Sequence, residues 1–188
     1  IRNNKKYLTS GGINMNTNSN IRKMTINAIL LALGALLHQI TPVLGFPMQP
    51  DVAIMMLIII IYLNKDYKTT LIASIIVGIF TALTTKFPGG QVPNIIDKII
   101  TGNIIYYLFL VTRNTFKDNI KLIFSLGLGT AISGFIFLTS ALILVGLPGD
   151  FIQLVVAVVL PAAILNLIIG TILYKIIIRS LEINNLKI

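Results

Sequence analysis

The sequence predicts an all-α integral membrane protein with six transmembrane helices, and three observations carry the prediction. Of 188 residues, 55% are hydrophobic and only 11% charged, and mean hydropathy is +0.90, outside the range of a soluble globular domain. The apolar residues fall into six runs separated by Pro, Gly and charge. Most of these runs approach the roughly 20 residues that a hydrocarbon core of about 30 Å demands of a helix. The basic residues gather in alternate connections between the runs. Six spans use most of the chain, so residues 21–188 are read as one transmembrane domain.

Residues 1–20 are polar and hold no apolar stretch of the kind a signal peptide needs. They read as a disordered cytoplasmic tail or a non-native extension. In an AT-rich genome Ser10-Gly11-Gly12-Ile13-Asn14-Met15 back-translates into a ribosome-binding site followed by a start codon, which makes Met15 the expected native start. The apolar runs then place helices at about 24–41, 51–63, 69–86, 93–111, 120–146 and 151–179. The second is short, spanning about 20 Å at 1.5 Å per residue. Asp51, at its start after Pro50, is therefore expected below the outer surface of the membrane.

With the N-terminus in the cytoplasm, 13 of the 15 Lys and Arg lie on the inner side, and only Lys86 and Lys98 do not. The positive-inside rule thus puts both termini in the cytoplasm. The net charge of +9 needs no nucleic-acid partner, because these cations sit in short loops beside apolar spans and are not interleaved with stacking aromatics. Cysteine is absent, which excludes disulfides and thiolate metal sites; no cofactor or metal is expected.

The polar residues left over are the informative ones. His38, Asp51, Lys86, Gln91, Asn94, Asp97 and Lys98 all fall near the outer ends of the first four helices. An ionisable group at membrane depth costs at least a few kcal/mol, so it faces a wet cavity or a partner and marks a site or pathway. Asn94 and Thr101 share the helix face of Asp97 at i−3 and i+4, whereas Lys98 points about 100° away. A purely structural pairing of Asp97 with Lys86 or Lys98 is the competing reading, as is an interfacial, backbone-bonded His38. Asp150, in Gly146-Leu147-Pro148-Gly149-Asp150, reads as an ordinary turn acid. The connection from Lys86 to Asn94 contains Gly89-Gly90, which permits positive φ and close backbone approach, and it sits where a lid over a cavity would be.

Enzyme chemistry is not expected. The chain has no phosphate-binding loop, no Gly-x-Ser-x-Gly, no His-Glu-x-x-His, and its one Glu, Glu182, lies outside the predicted spans. Pro148-Gly149-Asp150 is also not the Gly-x-Gly-Asp pattern of intramembrane aspartyl proteases.

Met48-Gln49-Pro50-Asp51 and the stretch Ala82-Leu83-Thr84-Thr85-Lys86-Phe87-Pro88-Gly89-Gly90-Gln91-Val92-Pro93-Asn94-Ile95-Ile96-Asp97-Lys98 resemble the bacterial tryptophan transporter family. Gln49 stands where the family pattern has Lys. Phe137-Leu138, Ser140-Ala141-Leu142 and Val158-Val159-Leu160-Pro161-Ala162-Ala163 with Asn166 extend the likeness to about residues 24–174. That family is in turn similar to the substrate-binding S components of energy-coupling factor transporters. These are six-helix membrane proteins that bind a micronutrient from outside and dock on a shared transmembrane subunit and ATPase subunits. The resemblance implies tryptophan uptake across the bacterial plasma membrane. A zwitterion needs a cation and an anion, and an indole needs apolar walls and an acceptor for its N–H. On that reading Lys86 or Lys98 meets the carboxylate, Asp51 or Asp97 the ammonium, Asn94 or Gln91 the indole N–H, and Phe87 or Phe46 the ring. His38 joins this set.

Two alternatives remain: an S component for another micronutrient, and a proton-driven secondary carrier for an aromatic amino acid with Asp97 or His38 titrating. For docking, Ala28, Ala32 and Ala35 recur at i, i+4 and i+7 and give the first helix a smooth face. Such faces serve partner subunits or packing within a bundle alike. Gly78 and Ala82 repeat the spacing on the third helix.

Overall fold

A hydrophobic run without a polar face has to be surrounded on all sides, and Ala53–Ile61, which carries no polar residue, takes that position. In a computed structural model, describing residues 11–42, 51–113 and 118–183, every residue of that run is at most 1% exposed. The described residues form six helices and no strand: α1 (Gly11–Ile40), α2 (Ala53–Asn64), α3 (Tyr67–Leu83), α4 (Gln91–Val111), α5 (Asp118–Leu144) and α6 (Phe151–Ile183). The other five helices pack around α2.

Four segments are long and apolar enough to cross a membrane: Asn20–Ile40, Gln91–Val111, Asn119–Leu144 and Phe151–Ile183. Helices α2 and α3 are shorter and apolar. The long helices turn large apolar residues outward, among them Leu36, Val111, Phe124, Ile143 and Ile164, as a lipid-facing surface requires. Their position explains the shortness of α2: a helix enclosed by its neighbours meets no lipid and has no bilayer thickness to match.

Helix α1 starts at Gly11, inside the stretch read as a tail and ahead of the apolar run expected at 24. Residues 1–10, the Phe46 ring, Met48-Gln49-Pro50 and Lys117 lie outside the described residues. Three of the chain's acids serve helix starts. Asp51 Oδ1 accepts the N–H of Ala53 (3.0 Å) and Ile54 (3.3 Å), Asp66 Oδ1 that of Thr69 (2.7 Å), and Asp150 Oδ2 those of Ile152 (3.0 Å) and Gln153 (3.3 Å). Asp150 is thus the turn acid expected of it.

Gly78 and Ala82 are buried between α3 and α4, where an added Cβ on Gly78 would meet Ile95 Cα at 3.2 Å. Their spacing serves packing inside the bundle. Ala28 and Ala32, by contrast, are exposed on the outer face of α1, and Ala35 is half-buried beside them. At the end of the bundle away from Asp51, Asn27 and Asn64 exchange amide hydrogen bonds of 3.0 and 2.9 Å, tying α1 to the C-terminus of α2.

Candidate functional site

The end of α1, the start of α2, the end of α3 and the start of α4 meet at one end of the bundle, because short connections join antiparallel neighbours. His38, Asp51, Lys86, Phe87 and Asn94 line one cavity there. Beneath it, six residues into α4, lies a buried ion cluster. Asp97 and Lys98 side chains are 1% exposed and that of Asp51 is 20% exposed. The Lys98 ammonium contacts both carboxylates, at Asp51 Oδ2 and Asp97 Oδ2, and donates to Ser133 Oγ at 3.3 Å. Ser133 in turn donates to Asp97 Oδ2 at 2.8 Å, and Thr101 donates to Asp97 Oδ1 at 2.8 Å.

Asp97 and Lys98 diverge around the helix, yet the flexible lysine stem brings its ammonium back to its neighbour. The pairing of Asp97 is therefore with Lys98, and Lys86 takes no part in it. Lys86 is exposed at the cavity, where its ammonium donates to the carbonyl of Thr41. Asp97 is closed off by Lys98, Ser133 and Thr101, and neither it nor Lys98 lines the cavity; Asp51 is the carboxylate that does. Gln91 sits exposed at the first residue of α4, away from the cavity lining.

His38 is buried at 3% exposure on the last turn of α1. Its Nδ1 lies 2.7 Å from Thr84 Oγ1, and the Thr84 hydroxyl donates its one proton to Phe80 O at 2.7 Å. This contact orients the ring so that Nε2 lies toward Asp51 Oδ1, 3.9 Å away. His38 is thus buried beside the cavity and bonded to a side chain. Asn94 commits its amide nitrogen to Gly90 O at 2.8 Å, which reserves its side-chain carbonyl as an acceptor.

The connection before α4 uses its two glycines differently. Gly89 has φ 74°, the left-handed conformation that a Cβ disfavours. At Gly90 an added Cβ would lie 2.8 Å from Thr85 Oγ1 and 3.1 Å from Phe87 O. This tight fold presses Phe87 inward, 5% exposed, edge-on against Phe137 at 5.4 Å and 87°.

The far wall was not foreseen. Helix α5 contributes Thr130, Ser133, Gly134 and Phe137, and α6 contributes Val158, Val159 and Ala162. The α5 residues recur at i, i+3, i+4 and i+7, so a single small-and-polar face within an apolar helix was the available signal. On α6 the wall includes a π turn at Val155–Val159, a feature that often accompanies functional sites and that apolar periodicity cannot reveal. An added Cβ on Gly134 would meet Val159 Cγ1 at 2.6 Å, a measure of how closely α5 and α6 approach. Asn166, wholly buried, donates to Asp51 O at 2.8 Å and Thr130 Oγ1 at 3.0 Å, holding the start of α2 against both helices. The space inside is about 50 Å³, below the roughly 300–1,000 Å³ of a typical ligand pocket. A ligand of amino-acid size therefore enters only if the walls separate.

Residues 20–182 match the family described as "Tryptophan transporter TrpP", a span that contains the cavity and the ion cluster beneath it. The chain belongs to the tryptophan transporter TrpP family. Relatives named "Probable tryptophan transport protein" occur in Clostridium perfringens, 49% identical over 177 residues with 89% of this chain and 97% of the relative covered, and in Clostridium acetobutylicum, 45% identical with 87% and 96% covered. Another, from Bacillus subtilis, is 43% identical with 83% and 90% covered. These TrpP relatives are named as transport proteins and not as enzymes. No solved structure matches the chain.

Proposed function

We propose that this chain captures tryptophan from outside a bacterial plasma membrane and is the substrate-binding subunit of an uptake system. All six helices then span or line the membrane, with both termini cytoplasmic and the cavity facing outward. The observation that carries the substrate reading is the charge balance of the cluster. Two carboxylates share one lysine ammonium, which leaves the cluster one negative charge in excess, and Asp51 is the carboxylate that reaches the cavity. In a low-dielectric bundle such an imbalance favours a cationic group, and the ammonium of an amino acid supplies it. Lys86 at the opening meets the substrate carboxylate, the Phe87–Phe137 corner the indole ring, and Asn94 the indole N–H.

Nothing in the sequence resembles a nucleotide-binding loop, which supports energy coupling through a separate transmembrane subunit and ATPase, as in energy-coupling factor transporters. The exposed Ala28–Ala32 face of α1 is the proposed docking surface. The chain contains no Trp, so the emission of bound L-tryptophan is observable against Tyr and Phe alone. Saturable binding is expected, and Asp51→Asn is expected to weaken it roughly 30- to 4,000-fold, the equivalent of about 2–5 kcal/mol for an unpaired buried charge. Equal affinity in wild type and Asp51→Asn would remove the acid from the site. Accumulation in cells without an ATPase module, abolished by an uncoupler, would instead establish a proton-driven carrier.

A further inference from the structure

A second cavity, larger than the first, is at the other end of the bundle. It measures about 350 Å³ and opens between the C-termini of α2 and α4 and the N-terminus of α5. Its charged lining residues are Lys65, Arg113 and Lys121, one from each element, and no described acid lines it. Lys121 is only 8% exposed and donates to Arg113 O at 2.6 Å, which fixes the end of α4 against α5. Lys65 follows α2 in the left-handed conformation (φ 57°), and its ammonium stands 5.7 Å from the centre of the Tyr62 ring. The adjacent acid, Asp66, is occupied in capping α3. Neither Lys65 nor Arg113 has an acidic partner among the described residues. Three cations around one concavity repel one another and focus a positive potential inside it, so its complement is an anion.

The remaining surroundings narrow the class of anion. Tyr106, Phe109 and Leu110 complete the walls, and Leu110 continues onto an exposed apolar strip with Tyr107 and Val111. Five of the six tyrosines, Tyr62, Tyr67, Tyr106, Tyr107 and Tyr174, are at this end of the bundle, and all five join in ring contacts there. Of these, Tyr67 and Tyr107 are exposed, and tyrosines at the surface of a membrane protein mark the level of lipid headgroups. A basic cavity at headgroup level that continues into an apolar, outward face matches a molecule with a phosphate head and hydrocarbon tails.

We propose that this cavity binds the phosphate headgroup of an anionic phospholipid from the adjoining leaflet, with Lys65, Arg113 and Lys121 holding the phosphate and the exposed face of α4 receiving an acyl chain. Basic pockets between membrane helices act in this way elsewhere. The inference needs the chain to be in a membrane but does not rest on the substrate assignment, since the two cavities are at opposite ends. The test is native mass spectrometry of the purified full chain in detergent, titrated with phosphatidylglycerol, phosphatidylcholine or inorganic phosphate, beside a tryptophan-binding measurement on the same samples. Phosphatidylglycerol is expected to remain bound at one copy per chain and phosphatidylcholine to dissociate. The double variant Lys65→Gln/Arg113→Gln should lose phosphatidylglycerol about 30-fold while its tryptophan binding is unchanged. The single variant Lys65→Gln, exposed and outside any described ion pair, should show a smaller loss in the same direction. Equal retention of the two lipids, or wild-type phosphatidylglycerol affinity in the double variant, would overturn the proposal. So would displacement of the lipid by an equal concentration of inorganic phosphate, which would mark a free-anion site. Binding of a glutamate-rich peptide in place of phosphatidylglycerol would equally overturn it, in favour of a protein partner.

Discussion

Replacing Lys98 by Met keeps a long unbranched stem in place and removes only the ammonium. In the native cluster that ammonium contacts Asp51 and Asp97 together, so its loss leaves two carboxylates facing one buried space with no cation between them. Breaking a buried ion pair by deleting one partner costs about 3–5 kcal/mol. For a chain of this size that corresponds to a fall in Tm of roughly 6–20 °C, measurable by thermal unfolding in detergent. The double variant Lys98→Met/Asp97→Asn then separates charge from packing. The amide at position 97 can still bond Ser133 and Thr101, which now donate to Asp97 at 2.8 Å each. One carboxylate, Asp51, is left, still supported by the N–H groups of Ala53 and Ile54. The cluster returns to the single net negative charge of the wild type, so the double variant should regain more than half of the lost stability. It should also retain tryptophan binding, because Asp51 still faces the cavity. A Lys98→Met protein that melts within about 2 °C of wild type, or a double variant no more stable than the single one, would show that the ammonium does not hold the two carboxylates together.

Gly102→Ala should be among the most destabilising single-methyl changes, since the new Cβ would fall 1.9 Å from Ser74 Oγ and 3.0 Å from Ser74 Cβ; a loss of about 1–3 kcal/mol is expected for overpacking, and Ser74→Gly introduced beside it should restore much of the Tm. Lys86 is exposed and, among the described residues, hydrogen-bonded only to a backbone carbonyl, so in Lys86→Gln Tm should hold within about 2 °C while tryptophan affinity falls, and unchanged affinity would exclude Lys86 as the carboxylate partner. Ala28→Leu/Ala32→Leu alters an outward face of α1; purified protein should bind tryptophan normally while uptake by cells falls several-fold, and undiminished uptake would show that this face meets lipid alone. Val159→Ala removes bulk from a close α5–α6 contact at Gly134 and should quicken tryptophan association in stopped-flow fluorescence, whereas a slower rate would place the rate-limiting movement elsewhere.

The sequence by itself determined that the chain is helical and membrane-embedded, because the length, number and polarity of apolar runs are set by the solvent they must satisfy and need no partner to be read. It also brought candidate site residues from four helices to one end of the bundle. His38, Asp51, Lys86 and Asn94 are placed at one end by the alternation of helix directions, whatever the details of packing. What the sequence left undecided depended on distance through space. Asp97 and Asp51 were equivalent as acids near helix starts, and only the tertiary packing separates them. Ser133 from α5 and Thr101 enclose Asp97, while Asp51, held by Asn166 from α6, stays on the cavity. Lys98 was expected to point away from Asp97, but periodicity fixes where a Cβ points and not where a four-carbon stem ends. Gln91 was grouped with Asn94 on proximity in sequence, and the helix turned it outward. The paired small residues on α1 and α3 were indistinguishable as patterns; one pair is buried against α4 and the other faces outward, because the neighbours of a helix are chosen by the whole bundle. The far wall of the cavity, with its π turn and the Gly134–Val159 approach, comes from helices more than 30 residues beyond the predicted cluster, and local pattern carries no information about which distant faces will meet.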